Sequence, residues 1–152
     1  MRREILTIKE AIAWIHSRQK FGSRPGLERV QALLNKVNNP EKKVHVIHIA
    51  GTNGKGSTVA YLRSLLIEAG VTVGSFTSPY IEEFNERIAI DAKPISDQDL
   101  IQLVVKFQPL VEELDKQPEI KGITEFEILT AMMLDYFLTK EVDVAVVEVG
   151  LG

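Results

Sequence analysis

The chain has 152 residues, 45% of them hydrophobic, which is enough for one substantial core and too little for two ordinary domains. Eighteen Lys and Arg against 21 Asp and Glu leave a formal charge of −3, so no general field draws in nucleic acid or an anionic membrane, and any anion must be held locally. The absence of cysteine excludes disulfides and thiolate metal sites; with no signal-peptide pattern at the amino terminus and no apolar run near the ~20 residues of a membrane span, a soluble cytoplasmic protein is expected.

Thr7 and Glu10 form a capping-box pair ahead of Ile8, Ala11, Ile12 and Ile15, whose spacing predicts a first helix. Gly22 to Pro25 breaks it, and Leu27, Val30, Leu33, Leu34 and Val37 mark a second amphipathic helix ending near Asn38, Asn39 and Pro40. Val44 to Ala50 reads as a buried strand that leads into the glycine-rich segment Gly51 to Ser57. Val59, Leu62, Leu65, Leu66 and Ala69 then keep helical period up to Gly70, a residue suited to end a helix in the left-handed conformation. Val71 to Phe76 is a second strand, Thr77 to Arg87 an exposed loop, and Ile88 and Ile90 a short strand before a turn at Lys93-Pro94. Ser96 with Asp99 caps a helix through about Leu114 that Pro109 should end or kink. Thr124 and Glu127 form another capping box before Ile128, Leu129, Met132 and Leu138, and Val142 to Val149 is a third apolar strand. Strands alternating with helices predict an α/β fold, a mainly parallel sheet with helices on both faces.

Between the first strand and the third helix stands Gly51, Thr52, Asn53, Gly54, Lys55, Gly56, Ser57 and Thr58. Glycines let successive amides turn inward, making an anion nest at the positive end of a helix. Lys55 adds a mobile charge for β- and γ-phosphates, and the Ser57 and Thr58 hydroxyls can ligate Mg²⁺ or cap the helix. The pieces fit a nucleoside triphosphate. The plain alternative, a glycine-rich turn with a solvated lysine, is disfavoured by the flanking strand and helix. A dinucleotide site is weaker still, because no G-x-G-x-x-G occurs and no acidic residue closes a second strand.

Glu148 closes the third strand, so its carboxylate should emerge at the strand's carboxyl end beside the glycine-rich loop, where open α/β sheets bind ligands and a hard cation finds an oxygen ligand. The less favoured alternative, taken without the other motifs, is a strand-end charge that points to water. Asp143, at the opposite end, reads as structural. Phe76, Tyr80 and Phe84 offer flat faces for stacking, and Asn85 and Arg87 offer hydrogen bonds; the alternative is a loop whose aromatics pack on their own scaffold beside a Glu86–Arg87 surface pair. Capping geometry already accounts for Thr124 and Glu127. His45 and His48 read as core or edge residues and His16 as a helix residue without a partner, while Trp14, Met132 and Met133 belong to helix packing.

The string GTNGKGST, in which Gly56 separates the lysine from the first hydroxyl, resembles the phosphate loop of the folylpolyglutamate synthase/dihydrofolate synthase family of Mur ligases. The later TSP (Thr77, Ser78, Pro79) and FNERI (Phe84 to Ile88), the strand end VVEVGLG, the segment GLER (Gly26 to Arg29) and the stretch TEFE (Thr124 to Glu127) resemble the same family. Tyr80 stands where relatives often carry histidine or phenylalanine. The resemblance implies a P-loop NTPase-like central domain, with residues 1–43 an amino-terminal helical segment of a partial ATP-binding domain over 1–152, truncated before a glutamate-binding domain.

It also implies site roles. Lys55 and Glu148 carry catalysis; the phosphate-loop residues hold ATP; Ser57, Ser78 and Glu148 hold Mg²⁺. Phe76, Thr77, Pro79, Tyr80, Asn85, Arg87, Thr124, Glu125, Phe126 and Glu127 approach the substrate. ATP would phosphorylate a carboxylate of a reduced folate or dihydropteroate, and the amino group of L-glutamate would attack the acyl phosphate. The residues before GLER depart from the acidic pattern of bifunctional relatives, which leaves dihydropteroate open. A monomeric full-length enzyme is implied, whereas the chain as it stands should be inactive and prone to associate, since a final strand at a chain end exposes a backbone edge. Two rivals remain at this point: another Mur-type amide ligase and a nucleotide-binding switch.

Overall fold

The structure is a computed structural model that describes residues 7–49, 55–77 and 83–148, with backbone alone at 55–57. These fall into two compact units: the residues up to Pro40 together with Asp97–Tyr136, and Glu41–Ser96 together with the residues from Phe137 on.

The first unit is helical. It contains α1 (Ile8–Ser17), a 3₁₀ turn (Arg18–Phe21), α2 (Glu28–Lys36), α4 (Asp97–Leu114) and most of α5 (Glu125–Thr139), while α3 (Lys55–Glu68) belongs to the second unit. Both capping boxes form as expected. The Thr7 hydroxyl accepts from the Glu10 amide at 3.1 Å while Glu10 Oε1 accepts from the Thr7 amide at 3.0 Å, and Thr124 and Glu127 repeat the exchange at 3.2 and 3.0 Å. Apolar residues at helical spacing, Ala11 and Ile15 on α1 and Leu100, Val104, Phe107 and Val111 on α4, are buried where those helices pack. Pro109 does not end α4. The carbonyl it leaves without a helical donor belongs to Val105, which is 46% exposed, so the lost bond falls on the wet side of the helix.

The second unit is built on a five-stranded sheet in the order β1 (Val46–Ile49), β5 (Val144–Glu148), β2 (Val73–Phe76), β3 (Ile88–Ile90), β4 (Lys93–Pro94). The first three run parallel and the last three form an antiparallel meander. Val73 and Val146 turn one face toward Val59, Leu62 and Leu66 of α3. The opposite face carries Gly74, and there the ring of Phe137 from α5 lies so close that a Cβ on residue 74 would meet it at 2.8 Å. α3 thus covers one face, and Phe137 of the same unit lies against the other; the mostly parallel sheet with helices is as the alternation predicted. Gly70, at φ +86°, closes α3 in the left-handed conformation.

Three expectations are corrected. The strand read over Val44 to Ala50 is short and lies at an edge of the sheet, with Ile47 36% exposed; an apolar run cannot by itself distinguish a central strand from an edge. The turn lies at Asp91-Ala92, both with positive φ, because the Asp91 carboxylate accepts from the Val73 amide at 2.9 Å and fixes the hairpin there; Pro94, with no N–H to donate, takes a place on edge strand β4. Finally, β5 is not an exposed last strand. It lies between β1 and β2, and the parallel edge left open among the described residues belongs to β1.

Candidate functional site

Parallel pairing fixes the geometry of the strand ends. Ile49, the last described residue of β1, is in register with Glu148, the last of β5, and Phe76 ends β2 opposite Val147. Side chains alternate along a strand, so Glu148 shares the face of Val146, the face that α3 covers. Its side chain is only 6% exposed. The helix α3 begins at Lys55, five residues after Ala50, so a buried carboxylate, the chain leaving β1 and the amino-terminal turn of a 14-residue helix all belong to the carboxyl-end side of the same three strands.

Ala50, Gly51, Thr52, Asn53 and Gly54 lie outside the described residues, as do Ser78, Pro79 and Tyr80 and the side chains of Lys55, Gly56 and Ser57; Thr58 is exposed. Beyond β2 the Thr77 amide donates to the Arg87 carbonyl at 3.0 Å, tying the two ends of the TSP-to-FNERI segment together. Its second half is not the exposed loop expected. Phe84–Arg87 forms a 3₁₀ turn in which Phe84, Asn85 and Arg87 are buried. Asn85 Nδ2 donates to the Ile95 carbonyl at 2.7 Å, and the Arg87 guanidinium lies 5.9 and 5.5 Å from the ring centroids of Phe76 and Phe84. Phe76 itself is fully buried in the sheet. These four side chains brace the segment from within. Asp143 holds the other end of β5, accepting from the Thr72 amide at 2.8 Å.

Thr124, Glu125, Phe126 and Glu127 belong to the helical unit. Glu127 takes two bonds from Arg29, at 3.0 and 2.9 Å, and this hydrogen bonding, larger than the opposing effect of burial, holds the guanidinium above its ordinary range. Glu125 Oε2 lies 2.7 Å from His16 Nδ1 and also accepts from Gln19, so His16 does have a partner, contrary to the sequence reading. Phe126 is 48% exposed. Arg18 was missed by the sequence reading, and Arg29 entered it only as part of GLER, although a signal for both as buried ion-pair residues existed. Each lies three or four residues from an apolar-face position, Arg18 three after Ile15 and Arg29 four before Leu33, and a charge on that face needs a buried partner.

Among the described residues no group of three or more His, Asp or Glu could hold a metal. No protein-family model matches the chain. A dihydrofolate synthase/folylpolyglutamate synthase of Bacillus subtilis is 53% identical over 145 residues, 95% of this chain and 34% of its own length. The folylpolyglutamate synthetase structure from Lactobacillus casei superposes with a TM-score of 0.87 at 42% identity, over 95% of this chain and 36% of that one. Sequence and fold are those of the folylpolyglutamate synthase/dihydrofolate synthase family. A folylpolyglutamate synthase complex with AMPPCP and folate matches equally well, with a TM-score of 0.87 at 40% identity over 97% of this chain and 36% of that one. The chain spans about a third of the length of these synthases.

Proposed function

We propose that the chain supplies the nucleotide-handling part of an ATP-dependent ligase that adds L-glutamate to a folate or dihydropteroate carboxylate, in the cytoplasm. The observation that carries this reading is the register Ile49↔Glu148, which sets a 6%-exposed carboxylate beside the strand that feeds GTNGKGST and the start of α3. The complex of a relative with AMPPCP and folate supports both ligand classes.

In this reading the amides of Gly51 to Ser57 and the Lys55 ammonium hold the triphosphate against the positive end of α3. Glu148, with Ser57 and Ser78, would hold Mg²⁺; the fit rests on a hard-oxygen carboxylate with little solvent access at a ligand-binding strand end. When bound, the ion neutralises phosphate charge. Phosphoryl transfer to the substrate carboxylate gives an acyl phosphate, which the glutamate amine attacks to form the amide and release phosphate. The chain contributes position and charge rather than a covalent nucleophile. Among the described residues the β1 edge, Val46–Ile49, is where association of the isolated chain would begin.

The test is a chimera in which this chain replaces the matching part of the Bacillus subtilis relative. Folate- and glutamate-dependent ADP release that disappears with Lys55→Ala supports the reading. Release that is indifferent to folate, or unchanged by Lys55→Ala, removes it.

A further inference from the structure

Arg63 reaches from α3 to the sheet, where its Nη1 donates to the Ser75 hydroxyl of β2 at 3.1 Å. Ser75 is 2% exposed, so the bond is made inside the layer between helix and sheet, and the arginine itself is half-buried. Its charge is handled unlike that of the two buried arginines of the helical unit. Arg18 and Arg29 each meet a carboxylate, Asp115 and Glu127, whereas among the described residues Arg63 has the serine hydroxyl and no acid. A guanidinium held by a neutral partner, with part of its solvent removed, keeps a positive potential that its surroundings feel.

Strand register fixes what those surroundings are. Ser75 pairs with Val146, and Val73 and Val146 face α3. Side chains alternate along a strand, so Ser75, two residues after Val73, and Glu148, two after Val146, take that same face. Two steps along β5 and one strand across put the backbone of Glu148 roughly 8 Å from that of Ser75. The Glu148 side chain is 6% exposed, which limits screening between the two charges. A fixed positive charge on this face acts oppositely on two kinds of ligand: it repels a bare divalent cation and attracts a polyanion.

We propose that Arg63 is a positioning residue of the nucleotide site whose charge, held in place by Ser75, keeps Glu148 from taking a metal ion alone and favours the arrival of the metal together with the triphosphate; this rests on the ligase reading above. Arg63 touches no reacting atom. It acts through the potential at Glu148 and at the start of α3.

The test measures binding in the chimera described above, without folate and without turnover. Mn²⁺ alone is titrated through the paramagnetic signal of the free ion, and ATP is titrated calorimetrically in EDTA. Arg63→Gln removes the charge and keeps a donor for Ser75. It is expected to tighten Mn²⁺ about threefold and to weaken metal-free ATP about fivefold, while Arg63→Lys leaves both near the parent values. In a Glu148→Gln background the gain in Mn²⁺ binding should vanish. Damage to the fold would weaken both ligands, so the opposite signs separate charge from structure. If Arg63→Gln weakens both, changes neither, or tightens Mn²⁺ equally without the Glu148 carboxylate, the role is overturned. The ligase reading fails separately, on a parent chimera whose ADP release ignores folate.

Discussion

Burying the carboxylate of Glu148 costs solvation, and a strand end that merely needed to stop could have used a residue without charge. The partners of this carboxylate are therefore the most informative measurement at the scale of single residues. In the chimera, Glu148→Gln keeps the shape and removes the charge; the Mg²⁺ concentration for half-maximal ADP release is expected to rise at least about tenfold, read from a magnesium titration. Lys55→Ala is expected to lower the rate about a hundredfold or more, since under the proposed reading it deletes a full charge from the developing phosphoryl centre; a change below twofold would place the ammonium elsewhere. Both candidates come from local chemistry, a lysine in a glycine-rich run and an acid at the end of an apolar strand; of the two, the structure describes the side chain of Glu148 alone, and it is buried. Phe76, Asn85 and Arg87 were misjudged as accessible for the opposite reason. Their burial depends on Ile95 and on the sheet, contacts that no spacing within the segment announces.

At the scale of elements, capping chemistry was the best guide. Thr124 and Glu127 define the start of α5 through two hydrogen bonds that adjacent sequence specifies fully. Thr124→Ala should cost about 1 kcal/mol, measured by denaturant unfolding with unchanged m-value. What adjacent sequence could not specify is which strand lies where: β1 read as buried by composition and, among the described residues, is an edge, and β5 looked terminal by position and is interior. Strand order is decided by pairing between distant residues, such as Val73 with Val144, and packing on the sheet likewise joins distant residues, Gly74 and Phe137 among them. Gly74→Ala should destabilise by about 1–3 kcal/mol because the new methyl meets the ring, and combining it with Phe137→Leu should recover part of the loss, a coupling that a double-mutant cycle would measure.

For the molecule as a whole, alkaline pH probes a group that neither motif nor spacing drew attention to. Burial, reinforced by the hydrogen bond from its hydroxyl to Asp99 at 3.0 Å, raises the Tyr136 phenol well above its ordinary value of 10.0. The folded state keeps a proton that the unfolded chain releases, so this stability is present in full below about pH 10 and is lost as pH rises from there toward the folded-state value. Tyr136→Phe should flatten that alkaline limb while lowering stability at neutral pH, as thermal unfolding across a pH series would show.

The interior place of β5 also has a consequence in time. During synthesis β1 and β2 leave the ribosome without pairing to each other, since each finds its parallel neighbour in a strand made long after both. The hairpin of β2 with β3 and the helices can form early, but the parallel layer closes only when residues 144–148 arrive. Glu148 comes with them, so the three parallel strands close and the buried strand-end carboxylate arrives in a single late event. No half-built intermediate can then offer that carboxylate in its native setting.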